Sequence, residues 1–175
     1  MKNFTKIFTT TIIIVFILSI LPVSYIYSSA STNIKEDKNI IEIAKSDGRF
    51  NTLVEALNKA NLVNTLEGKG PFTVFAPTDD AFKKLPAGTL ENLLKPENKD
   101  ALKDILLYHV AKGNLSSADV LKLDGKKITL LNGKTANISV KNGDVFINNA
   151  KIIITDIPAS NGTIHVIDAV LIPEK

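Results

Sequence analysis

The chain has no cysteine and no tryptophan, two histidines and a single arginine, Arg49, in 175 residues. Without thiols there are no disulfides, no thiolate zinc sites, no cysteine nucleophile and no lipid-modified N-terminal cysteine, so stability must come from packing. The formal net charge is +3, from 21 basic against 18 acidic residues, but Lys2 and Lys6 supply two of the positive charges ahead of a long uncharged stretch. Beyond that stretch the chain is close to neutral, with lysines scattered among acids. A phosphate-binding surface needs clustered Lys and Arg, so nucleic-acid binding is not expected despite a sequence pI near 9.0.

Catalytic and ligand-binding signatures are equally scarce. The chain has no G-x-S-x-G elbow, no H-E-x-x-H helix, no glycine loop for phosphate and no carboxylate loop with calcium spacing. The expectation is therefore a protein without catalytic residues, cofactor or metal. An exported hydrolase or small-ligand carrier is the alternative, and it would require a concave pocket with convergent polar groups.

What is present begins with Lys2 and Lys6, ahead of an uncharged run from Ile7 to Ile34 whose most apolar part is Ile12–Ile20. Pro22 breaks the run, and Ser28-Ser29-Ala30 offers small residues for a signal peptidase. This is the layout of a secretory signal peptide over residues 1–30, cleaved after Ala30. The rival is an uncleaved membrane anchor, which reaches a spanning length only by counting several Thr and Ser residues. Either way the rest of the chain is exported. A polar lead over 31–38 then precedes one domain over 39–175, large enough for a single core.

The first half of that domain has helical periodicity. Ile40, Ile41, Ile43 and Ala44 share a face that Asp47-Gly48 terminates; Phe50, Leu53, Val54, Leu57 and Ala60 form a second; Leu102, Ile105, Leu106, Leu107 and Val110 predict a third that Gly113 closes. Between them Phe72–Ala76 reads as a strand stopped by Pro77. Thr78, Asp79 and Asp80 then cap a short helix through Phe82 and Leu85. Ser116–Asp119 resembles a capping box. From Lys127 on, the pattern is β: 127–131, 135–140, 145–147 and 150–157, separated by Asn-Gly and Asn-Asn turns, then a last strand over 163–172 after Asn161-Gly162.

Three segments carry a family resemblance. Gly70 to Phe82 (GPFTVFAPTDDAF) resembles the first signature of the fasciclin domain, and Asn161 to Pro173 (NGTIHVIDAVLIP) resembles the second. Leu107-Tyr108-His109-Val110 resembles the Tyr-His motif between them. The resemblance covers the chain from about Asn39 to Pro173 and implies an α+β fold, a β-sandwich or wedge flanked by several helices. It also implies an extracellular adhesion module for matrix, envelope or cell-surface partners of protein or glycan type. The signal and the Lys-, Ile- and Asn-rich composition resemble those of a microbial secreted protein.

In animal members of the family an Asp-Ile pair before the second signature and the Tyr-His segment are linked to integrin recognition. Asp156, Ile157, Tyr108 and His109 match those positions and are the candidate contacts implied by the resemblance. Against this stands a structural role, with Tyr108 and Ile157 filling the core and Asp156 capping a turn. His109, at the end of an apolar helix, needs hydrogen-bond partners, for which Thr78 or Asp79 are the expected groups. His165 alternates with apolar residues on a strand covered on both faces, so packing is its expected role. Asn161 and Gly162 are read as a turn. Asn114, Asn137 and Asn161 lie in N-x-S/T patterns that matter only in a glycosylating host.

Overall fold

The computed structural model describes residues 38–173. The expected signal peptide over 1–30 lies outside the described residues, as does the polar lead apart from Lys38.

Three helices open the fold: α1 (Ile40–Asp47), α2 (Asn51–Lys59) and α3 (Val63–Glu67). Asn39 starts α1 by accepting hydrogen bonds from the Ile41 and Glu42 amides, while the Glu42 carboxylate accepts from the Asn39 amide at 2.8 Å. That reciprocal pair satisfies orphan donors of the first turn, and Gly48, at φ 79°, ends the helix where a side chain would be strained. Next come β1 (Phe72–Pro77), α4 (Asp79–Lys83), α5 (Thr89–Leu93), a 3₁₀ turn (Pro96–Asn98) and α6 (Lys99–Leu107). The remainder is β2 (Val110–Lys112), α7 (Ser117–Leu121), β3 (Lys127–Thr129), β4 (Thr135–Lys141), β5 (Asp144–Ile147), β6 (Ala150–Ala159) and β7 (Gly162–Ile167).

The strands form one sheet in the order β2-β1-β7-β6-β5-β4-β3, antiparallel except for β1 beside β7. A bridge between Ala111 and Leu130 draws the two ends of the sheet together, so it curls into a wedge with an inside and an outside. Strand alternation then sorts the side chains. Val74, Ala76, Ile164 and Val166 face outward under α1, α2, α3 and α6, joining Ile41, Phe50, Leu66 and Leu106. Phe75 and Ile167 point inward to meet Tyr108, Ile138, Ile147 and Ala150. Each such fully buried aliphatic or aromatic side chain stabilises the fold by ~1.5–3 kcal/mol relative to exposure.

Two expectations are corrected. The third helix stops at Leu107 rather than continuing through Val110, because Val110–Lys112 pair antiparallel with β1 (Val74 opposite Val110). A β-branched residue on an apolar face fits either periodicity, and the free edge of β1 decides between them. The last strand ends at Ile167, not Ile172: the Asp168 carboxylate turns back to accept the Lys151 amide at 2.8 Å, and the Leu171 amide is taken by His109.

Candidate partner-binding site

Strand β6 is irregular where it passes His165. Its register with β7 runs Ile152 to Ile167, Ile154 to Val166 and Ile157 to Ile164. Thr155 and Asp156 therefore stand against the single residue His165, the arrangement of a β-bulge. Asp156 takes the left-handed conformation at φ 59°, which Asp tolerates better than most residues. This bulge aims a carboxylate outward from an isoleucine-rich strand.

The carboxylate accepts a hydrogen bond from the Ser117 amide, the first residue of α7, at 2.8 Å. That bond is the main reason its pKa lies below the ordinary carboxylate value. The Asp156 amide donates to His165 Nδ1 at 3.3 Å, and His165 Nε2 donates to the Leu115 carbonyl at 2.8 Å. Thr73 Oγ1 accepts from the Leu115 amide and donates to the Gly113 carbonyl, and Thr163 Oγ1 donates to Asn114 Oδ1. Thr73, Thr163, His165 and Asp156 thus pin residues 113–117 to the sheet. The capping box on α7, with Ser116 and Asp119 serving each other, completes the support. Two exposed isoleucines precede the bulge, Ile153 at 47% and Ile154 at 38% exposure.

The candidate contacts from the sequence separate here. Asp156 is exposed and Ile157 is half-buried against the helix-side core. Tyr108 and His109 are buried, at 3% and 2% exposure, and they present almost no surface. Tyr108 enters the wedge, where its hydroxyl donates to the Thr135 carbonyl at 2.7 Å and accepts from Asn148 at 3.0 Å. The Tyr108 hydroxyl and the Asp156 carboxylate share no hydrogen-bond partner.

The expected partners of His109 are also corrected. Its Nδ1 donates to the Ile105 carbonyl at 2.8 Å and its Nε2 accepts from the Leu171 amide at 2.9 Å. Backbone supplies both, because α6 and the segment after β7 converge on the ring. Thr78 instead caps α4 through the Ala81 amide, and Asp79 accepts from the Thr52 amide and the Asn51 side chain, tying α4 to the start of α2. Burial alone would raise the Asp79 carboxyl, but these hydrogen bonds outweigh it and hold the pKa below its ordinary value. Burial pushes His109 down to about 4 and also lowers His165, so both rings are neutral near pH 7. At neutral pH both nitrogens of each ring are engaged in hydrogen bonds to backbone groups.

Asn161 does more than turn. Its amide donates to the Leu66 and Gly68 carbonyls and accepts from the Ile40 amide, joining the β6–β7 turn to α3 and α1. Both hydrogens of that amide are therefore committed, which leaves no free nitrogen for a sugar at this N-x-S/T pattern. Gly162 is required by crowding: a Cβ there would lie 1.9 Å from the Phe72 carbonyl oxygen. Among the described residues, no group of three or more His, Cys, Asp or Glu is placed to hold a metal ion. The bulge and its support were not read from the sequence. The signal available was an Asp inside an Ile-rich strand, a residue disfavoured there unless the backbone departs from the regular pleat.

A profile of the Fasciclin domain matches residues 48–173. The chain is 47% identical over 150 residues to protein sll1483 of Synechocystis sp., covering 86% of this chain and 81% of that protein. It is 38% identical over 135 residues to the cell surface glycolipoprotein MPB83 of Mycobacterium bovis, covering 74% of this chain and 58% of that protein. Among solved structures, the FAS1 domain pair of the insect cell adhesion molecule fasciclin I superposes with a TM-score of 0.69 at 20% identity, over 77% of this chain and 50% of that one.

Proposed function

The chain belongs to the fasciclin-domain family, and from that premise we propose that it is an exported, non-catalytic adhesion module that holds extracellular protein or glycan partners through the β6 bulge. In this reading residues 1–30 are a signal peptide removed after Ala30, 31–38 are a lead, and 39–175 act as one domain outside the membrane. The observation that carries the proposal is the exposed Asp156 carboxylate, held by Ser117 on a buttressed bulge and flanked by exposed Ile153 and Ile154.

The chemistry suits recognition. One carboxylate oxygen accepts from the Ser117 amide and Thr155 also bonds to the carboxylate, yet a carboxylate has about four lone-pair sites, so it can still accept from a lysine, an arginine or a sugar hydroxyl of the partner. The isoleucines beside it offer apolar area that is released from water on contact. Because the bulge is fixed by hydrogen bonds before binding, little ordering entropy is lost when a partner docks. Tyr108 and His109 serve this site indirectly, as core residues that set the fold beneath it.

The test is binding of the purified full chain to intact cells and envelope material of its own host. Asp156→Gly, which preserves the positive φ while removing the carboxylate, and Ile154→Ser are expected to weaken that binding by about tenfold or more each, the scale of a lost central contact. Tyr108→Phe should leave it intact. Undiminished binding by both bulge variants would move the contact surface elsewhere on the domain.

A further inference from the structure

His165 is fully buried, yet it accepts a hydrogen bond from the backbone amide of Asp156, the residue whose carboxylate the bulge exposes. Its ring stacks on Phe75 with centroids 5.7 Å apart, Nε2 is committed as a donor to the Leu115 carbonyl, and Nδ1 must therefore accept from the Asp156 amide. We propose that His165 is the positioning residue of the β6 bulge and that its protonation withdraws the Asp156 carboxylate from Ser117, so that acid switches the site off. This rests on the reading of the bulge as the contact site only for its consequence; the switch itself is a property of the isolated chain.

A neutral imidazole has one donor and one acceptor, matching the Leu115 carbonyl and the Asp156 amide. A proton taken from solvent makes both nitrogens donors, and Nδ1–H then confronts the Asp156 N–H. The nearest group able to accept is the carboxylate of Asp156 itself, the same residue whose amide has just been displaced. Turning that carboxylate toward the ring forms a charge-assisted bond and breaks the one to the Ser117 amide, which frees the start of α7.

Few other groups compete. From β1 the ring meets Phe75, and from the 113–116 loop the Leu115 carbonyl, neither of which titrates. Asp119 at the start of α7 is occupied by Ser116 and Lys122, and Asp168 beyond β7 by the Lys151 amide and Lys84. Among the described residues, Asp156 is the charged side chain that acts on the ring. Burial lowers the ring's pKa, and the Leu115 hydrogen bond and the Asp156 charge partly oppose this, so the transition lies below the ordinary histidine value.

The experiment is an NMR titration of the labelled full chain from neutral pH downward, reading the His165 ring nitrogens together with the Asp156 and Ser117 amides. All three are expected to move with a single midpoint below 6.5. Asp156→Asn, which keeps an acceptor for Ser117 but loses the charge, should shift the ring midpoint further down. His165→Gln, a non-titrating donor and acceptor, should abolish the transition at Ser117. A Ser117 amide that ignores the ring, or one that titrates unchanged in His165→Gln, overturns the proposal. If that variant does not fold, an unchanged ring midpoint in Asp156→Asn overturns it instead. No partner is needed, so a bulge that titrates but binds nothing defeats only the adhesion reading, and one that binds equally at every pH defeats only the switch.

Discussion

The two faces of the sheet each bury one histidine, and the two rings are held as opposite tautomers. On the helix-covered face His109 donates from Nδ1 to Ile105 and accepts at Nε2 from Leu171, both deep backbone groups. Inside the wedge His165 donates from Nε2 to Leu115 and accepts at Nδ1 from Asp156, whose side chain reaches the surface. Both rings are desolvated and neutral, so burial does not distinguish them. What distinguishes them is the next residue along: behind His109 the network ends in core, and behind His165 it ends in an exposed carboxylate.

The largest expected effect removes the contrast altogether. Gly162→Ala would force a Cβ to within 1.9 Å of the Phe72 carbonyl where β7 meets β1, the pair that builds both faces. A loss of about 3 kcal/mol or more is expected, readable as a lowered denaturant midpoint. An unchanged midpoint would mean that the β1–β7 contact is more pliable than its geometry implies.

Acid should separate the faces next. The His109 pKa falls from 6.5 to about 4 on folding, so between those values the unfolded chain binds a proton that the native chain does not. This contribution is fully present above pH 6.5 and is lost as pH falls through the native value, a span of about 3 kcal/mol. His165 acts in the same direction. Urea unfolding at successive pH values should show the decline, and His109→Gln should flatten it without altering the Ser117 amide.

Smaller effects sharpen the distinction. His109→Ala at neutral pH leaves the Ile105 carbonyl and the Leu171 amide without their partner and should cost about 1–3 kcal/mol, again with the bulge signals unmoved. Asp156→Gly should alter stability by only about 1 kcal/mol, since it loses one capping bond while relieving a positive φ. It is expected to abolish the Ser117 response to pH, a change visible in the amide spectrum rather than in the melting curve.

Much of the architecture is legible in local sequence. The first helix ended at Gly48, the strand from Phe72, the Thr78 cap, the Ser116 capping box and the Asn-rich turns of the second half all rest on local stereochemistry, and each lies close to its expected place. The departures are non-local. Val110 sits on an apolar face compatible with helix, and only the free edge of β1 makes it a strand. Thr78 and Asp79 have the right chemistry to satisfy His109, but α6 and the segment after β7 bring backbone there first.

For this protein, then, the residue order by itself determined the two signature segments, the α-then-β division and the absence of thiol chemistry, because caps, turns and periodicity act over a few neighbours. The tertiary structure alone decided that Tyr108 and Asp156 part company, one into the wedge and one onto a bulge. It also decided that His165 stands between that bulge and the 113–117 loop. Bulges and buried partners arise where strands distant in sequence must share hydrogen bonds, and a single strand read alone carries no record of what lies beside it.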